Sequence, residues 1–328
     1  MQRLDRILAV IDPTVEVQVG AAKAARLARL TGAALELFVC DFDPALTGQP
    51  FFDTDELRRL REEFLTERAA YLEDLADELR AGGLDVTTHV HWDNPLYEGI
   101  LRRVAEFEPD LMVKDTHYHS LLRRALFTNT DWNLIRRCPV PLLLSRTADW
   151  SARPRILAAL DPGHHGDKPA ALDHDILDAA QFLARQLDGT VEAVHAFFPA
   201  ALLAATTGFA GVPLAQELSV ADLLESERTR VAAATREITR AHGLDQKSVR
   251  VLQGSASEVL PRVATEEHVD LVVMGAVSRS RLREVFIGST AERVIDRLPC
   301  DVLIIRPDDF KTPVPRRPGY RPMVLPPL

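Results

Sequence analysis

Cysteine is scarce in this chain: three in 328 residues, at Cys40, Cys138 and Cys300. Their odd number, wide separation and apolar surroundings exclude a disulfide framework and the paired spacing of a structural zinc site. They read as reduced core thiols of a cytoplasmic protein. Positive charge is also in short supply. Lys and Arg number 39 against 48 Asp and Glu, a net charge of −9, which argues against a sequence-independent grip on nucleic acid or on an anionic membrane. The most apolar stretch, Phe197–Leu214 (FFPAALLAATTGFAGVPL), is broken by two prolines and two glycines and lacks flanking basic anchors, so no membrane span is expected. The opening segment MQRLDRILAVID has charges threaded through it and no apolar core of a secretory leader.

Catalytic signatures are missing too. No Gly-x4-Gly-Lys-Ser/Thr loop, no nucleophile beside its base and no pair of poised carboxylates is visible, so efficient catalysis is not expected. What the chain does have is material for cores, with 46% hydrophobic and 27% charged residues, and a length that suits two domains.

Those domains are copies of each other. RILAVIDP at Arg6–Pro13 returns as RILAALDP at Arg155–Pro162, 149 residues later, and PDLMVKD at Pro109–Asp115 returns as VDLVVMG at Val269–Gly275, 160 residues later. From there the copies run without a gap, and 12 of 37 positions are identical between Asp110–Arg146 and Asp270–Arg306. Each copy alternates short β-branched runs with helical patterns, the mark of a parallel sheet covered by helices on both faces. In the second copy strands are predicted near Arg155–Leu160, Thr190–Ala196, Ser248–Leu252, Asp270–Met274 and Asp301–Ile305, with the clearest helix at Asp222–His242. The fold class is therefore α/β: two homologous five-stranded parallel-sheet, Rossmann-like domains in tandem. Domain 1 spans residues 1–146, a short linker 147–154, domain 2 residues 155–306 and a tail 307–328. That tail holds 7 prolines in 22 residues and reads as extended or disordered.

Ligands of such sheets bind beyond the carboxyl ends of the strands, where the strand order reverses. In the second copy Asp161 ends the first strand, His195 and Ala196 close the second, Gly275 leaves the fourth, and Gly288-Ser289-Thr290 opens the helix before the fifth. Free N–H groups at a helix start attract an anion, and the two hydroxyls add donors. The plainer reading makes Ser289 an N-cap and Gly288 a turn residue. Both readings stand on sequence alone.

The segment MGAVSRSRLREVFIGSTAERVI resembles the universal stress protein family at its motif Gly-x2-Gly-x9-Gly-Ser/Thr, and the resemblance extends over both copies, as in tandem-domain members. It implies an adenine nucleotide alpha-hydrolase-like fold, a cytoplasmic role in stress survival, and ATP, with or without Mg, bound without efficient hydrolysis. Carried over, Asp161, His195 and Ala196 would flank adenine and ribose, Gly275 would approach the ribose, and Ser278, Gly288, Ser289 and Thr290 would take the phosphates. Ser278 departs from the motif, since a Cβ makes a left-handed conformation cost roughly 1–2 kcal/mol. Copy one departs further. Asp115 and Tyr118 replace the two loop glycines, and Thr128-Asn129-Thr130 stands where Gly288-Ser289-Thr290 stands, so copy one is expected not to bind ATP in the family manner.

Several features remain. His89 and His91 share a strand face, His117 and His119 alternate in what reads as a loop, and His164–His165 follow Asp161; no third ligand completes a metal site in sequence. The Phe197–Leu214 loop either packs on its own domain or forms a wall for an apolar small molecule or an intermolecular contact. Asp55–Arg80 reads as a solvated amphipathic helix. The apolar fifth strands, Val140–Ser145 and Val302–Arg306, want partners. The resemblance implies that they pair with each other as an intrachain pseudo-dimer, and a homodimer is a further expectation.

Overall fold

A computed structural model describes residues 1–47, 54–119, 124–146, 149–162, 171–198, 220–276, 288–307 and 309–315. The chain divides into two compact units, Arg3–Asp149 and Trp150–Pro307.

In unit 1 the order is β1 (Arg6–Val10), α1 (Val19–Thr31), β2 (Ala34–Asp41), α2 (Asp55–Ala81), β3 (Val86–Trp92), α3 (Leu96–Phe107), β4 (Leu111–Asp115), β5 (His117–His119), β6 (Arg124–Leu126), α4 (Asn129–Arg137) and β7 (Leu142–Ser145). Its main sheet runs β3-β2-β1-β4-β7, every pairing parallel. Unit 2 contains β8 (Arg155–Ala159), α5 (Leu172–Leu187), β9 (Thr190–Phe197), α6 (Val220–Ala241), β10 (Val249–Gln253), α7 (Ala256–Glu266), β11 (Leu271–Gly275), α8 (Ser289–Arg297) and β12 (Asp301–Ile305). Its sheet runs β10-β9-β8-β11-β12, again parallel throughout. Strand order reverses between β1 and β4 in unit 1 and between β8 and β11 in unit 2.

The central strands are buried on both faces, as their unbroken apolar runs require. Ile7, Leu8, Leu111 and Met112 are sealed in unit 1, and Leu157, Val272, Val273 and Leu303 in unit 2. The three cysteines are free and buried. One carboxylate per unit fixes the start of the first strand. Asp110 Oδ2 accepts from the N–H groups of Asp5 at 2.7 Å and Arg6 at 2.9 Å. Asp270, its counterpart 160 positions later, accepts from Arg155 N–H at 2.9 Å and from Ser151 N–H at 2.8 Å. The end of the connecting segment belongs to unit 2: the buried Trp150 indole N–H donates to Asp301 Oδ2 at 2.8 Å.

The amphipathic segment forms α2, capped by the Thr54 hydroxyl, which accepts from Leu57 N–H at 3.3 Å. His89 and His91 share a face of β3, their rings stacked at 6.3 Å. One expectation is corrected. His117 and His119 do not sit in a loop but in β5, which pairs antiparallel with β6 through Tyr118 opposite Ala125. An aromatic flanked by alternating residues suits a pleated hairpin, and no glycine interrupts it. Among the described residues no helix is long and apolar enough to cross a membrane.

Candidate functional site

Asp161 follows β8 and Gly275 ends β11, so the two stand at the carboxyl ends of neighbouring strands at the reversal point of unit 2. The Asp161 N–H is held by Asp173 Oδ1 of α5 at 3.0 Å, while its carboxylate, 37% exposed, lies 3.9 Å from His195 Nδ1. That imidazole is buried and bonded at 2.8 Å to the Leu160 carbonyl, so it braces β9 against the end of β8. Ala196 follows it on the same strand. Ser278 lies outside the described residues, as do His164, His165 and the stretch 199–214.

Gly275 is small for a visible reason. A Cβ there would fall 2.7 Å from Leu172 Cδ2 and 3.7 Å from Ile176 Cδ1, so the missing side chain admits α5 against β11. Gly288 is the N-cap of α8, in an extended conformation with no side-chain cap among the described residues. Ser289 and Thr290, the first two residues of that helix, are exposed. The helix start therefore presents first-turn N–H groups and two hydroxyls outward, a geometry that fits a phosphate.

Unit 1 fills the same places with its own charges. One first-turn donor of α4 is taken in a reciprocal capping box: Asp131 N–H donates to Thr128 Oγ1 at 3.1 Å, and the N–H of the N-cap Thr128 donates to Asp131 Oδ2 at 2.8 Å. Asp131 is completely buried and its other oxygen meets Lys114 Nζ at 2.8 Å. A carboxylate of the chain thus stands where an external anion would approach, neutralised by a buried lysine. Asp115 does the same at α1, accepting from Gly20 N–H at 2.7 Å. Burial holds its carboxyl above the ordinary value, with the Gly20 N–H, the Ser145 hydroxyl, Lys23 and Lys114 acting in the opposite direction. Lys23 is buried and donates to Ser145 Oγ and the Arg146 carbonyl, each at 3.2 Å.

The repeat shows that these are coordinated exchanges. At an offset of 160, Lys114, Asp115, Asp131 and Ser145 correspond to Met274, Gly275, Ala291 and Ile305. Counted back from the left-handed C-caps Gly32 and Asp188, Gly20 corresponds to Ile176 and Lys23 to Ala179. In unit 1 the glycine is on the helix and the larger residue on the strand; a Cβ on Gly20 would fall 2.9 Å from Asp115 Oδ1. In unit 2 the sizes are reversed.

The carboxyl ends of β2 and β3 are covered as well. Trp92 packs against Phe42 and, edge-on, Phe64, with the Arg61 guanidinium over its ring. Asp41 pairs with Arg68 at 2.7 Å, and buried Asp93 pairs with Arg102. Cys40 lies beside this group, its thiol pushed up by burial and by the Asp93 carboxylate. His89 is pushed down by burial and by Arg103. Sequence reading passed over Lys23 and Asp131, and took Lys114 as no obvious compensation for the charge of Asp115. The available signal was Thr128-x-x-Asp131, a capping-box pattern, beside a lysine aligned with Met274.

Comparison with known proteins decides the family. The model of the universal stress protein family matches residues 3–146 and again residues 153–306. The chain belongs to the universal stress protein family. That membership carries a stress-response role. Universal stress protein E of Salmonella typhi is 28% identical over 317 residues, covering 96% of this chain and 98% of that one. The Universal stress protein E homolog of Haemophilus influenzae is 26% identical, covering 93% of this chain and 98% of that one. Among solved structures, a universal stress protein from Pseudomonas aeruginosa UCBPP-PA14 superposes with a TM-score of 0.73 at 28% identity, over 94% of this chain and 95% of that one.

Proposed function

We propose that the chain is a ligand-binding, regulatory stress protein of the cytoplasm, with one adenine nucleotide site, in unit 2. The observation that carries this reading is the contrast between two equivalent helix starts. That of α4 carries a Thr128–Asp131 capping box with a buried carboxylate, whereas that of α8 has no side-chain cap among the described residues. Gly288, Ser289 and Thr290 would hold phosphate through backbone N–H and hydroxyl groups, and Asp161 would face the nucleoside or an accompanying Mg ion. Gly275, Ser278, His195 and Ala196 complete the proposed wall. Bound ATP would supply an occupancy signal rather than a reaction. Calorimetry with Mg-ATP tests this. Binding by the wild type that is lost in Gly288→Trp supports it, and no heat at millimolar ATP overturns it.

We also infer that the two fifth strands, β7 and β12, pair with each other as a built-in pseudo-dimer. Within its own unit each is the last strand, paired with β4 or β11, and each has an apolar core, Leu142–Leu144 and Val302–Ile305. A protease site placed at 147–148 tests this: the cleaved halves co-elute if the strands pair, and separate if they do not.

A further inference from the structure

Away from the strand ends, two helices of unit 2 meet through a pair of imidazoles. His174, in the first turn of α5, turns Nδ1 toward Nε2 of His242 at 2.7 Å. The rings lie 5.0 Å apart and are tilted by 35°. His242 follows the last residue of α6, and its other nitrogen, Nδ1, lies 3.0 Å from Asp178 Oδ1. Asp178 is four residues beyond His174, so both project from the same face of α5. The position of His242 is further fixed by Gln181 Nε2, which donates to its carbonyl at 2.9 Å, and by the left-handed turn at Gly243, φ 65°.

We propose that His174 and His242 form a binding site for one late first-row divalent ion, with Asp178 as the positioning residue for His242. Two ring nitrogens at 2.7 Å hold a single proton between them. A metal ion can take that proton's place, the proton shifting to the other nitrogen of its own ring, because two imidazole nitrogens bound at about 2.0–2.1 Å to a common ion stand roughly 3 Å apart. The rings need to part by a few tenths of an ångström and to pivot until both lone pairs converge on the ion. The carboxylate on the far nitrogen of His242 is the arrangement that orients metal-bound histidines and raises their basicity. Among the described residues no three His, Cys, Asp or Glu side chains converge on one ion, so the protein supplies two nitrogens and water fills the remaining positions. Imidazole donors favour copper, zinc and nickel over magnesium or calcium, and copper binds most strongly in that series. An ion held by two ligands from two helices is exchangeable, and its occupancy would tie the end of α6 to α5.

The test is a Cu2+ titration of the chelator-treated full-length protein at pH 7.5, followed by calorimetry and electron paramagnetic resonance. The expected result is one saturable equivalent with splitting from two nitrogens. His174→Gln and His242→Gln lose that equivalent, and Asp178→Asn, which keeps both ligands, weakens it by about 10- to 100-fold. Far-UV circular dichroism of each variant confirms that loss of binding is not loss of fold. Unchanged binding in both histidine variants overturns the proposal, as does a wild-type spectrum without two equatorial nitrogens. Mg-ATP binding in the His242→Gln variant is expected to match the wild type, so this site and the nucleotide site fail or stand separately.

Discussion

Lys114 Nζ and Asp131 Oδ1 lie 2.8 Å apart in the interior of unit 1, the lysine 9% exposed and the aspartate not at all. This pair joins the end of β4 to the start of α4, and its counterpart in unit 2 is Met274 beside Ala291. One fold has thus reached two solutions at equivalent positions, a charge pair and two buried apolar residues.

That equivalence makes a quantitative prediction. Breaking a buried pair by removing one partner costs about 3–5 kcal/mol, because the other charge stays buried. Asp131→Ala or Lys114→Met alone should destabilise unit 1 by that amount. The double variant, which copies unit 2, should recover most of it. Urea denaturation with a double-mutant cycle reads the result; additive losses would show that the pair is not coupled.

Size exchange between helix and strand gives a second. Gly275→Ala places a Cβ within 2.7 Å of Leu172 Cδ2, and overpacking of this kind costs typically 1–3 kcal/mol. Leu172→Ala in the same chain should relieve it, measured as recovery of the unit 2 transition. If Gly275→Ala alone is neutral, close packing is not why the position is glycine.

Asp115 gives a pH dependence. Its folded-state pKa is raised, chiefly by burial, so its protonated form favours the native state. Its contribution is therefore fully present below the unfolded carboxylate pKa and is lost as pH rises through the higher folded value. Asp115→Asn keeps an acceptor for Gly20 N–H and should flatten that part of the profile. Denaturation of both proteins between pH 3 and 7 shows it; parallel profiles would remove Asp115 as the source.

Much of the architecture was legible because it is periodic and repeated. Unbroken apolar runs marked the strands of unit 2 to within a residue or so, as at Asp301–Ile305, and the 160-residue offset aligned the copies before any coordinates. The site was less so. Gly275 was read as approaching a ribose; that a Cβ there would meet Leu172 of its own domain is a long-range relation that no local pattern encodes. His117-Tyr118-His119 looked like a loop because hairpin pairing depends on the partner Arg124–Leu126. Lys23 and Asp131 were missed, and the pairing of Lys114 with Asp131 with them, because each looks like an ordinary surface charge until the fold buries it. His174 and His242, 68 residues apart, meet only through the packing of α5 on the end of α6.

The asymmetry between the two helix starts is tested by counting ligands. Native mass spectrometry of the full chain with Mg-ATP should show one nucleotide per chain in the wild type and none in Gly288→Trp. Two nucleotides per wild-type chain, or one that survives Gly288→Trp, would contradict a single site at α8.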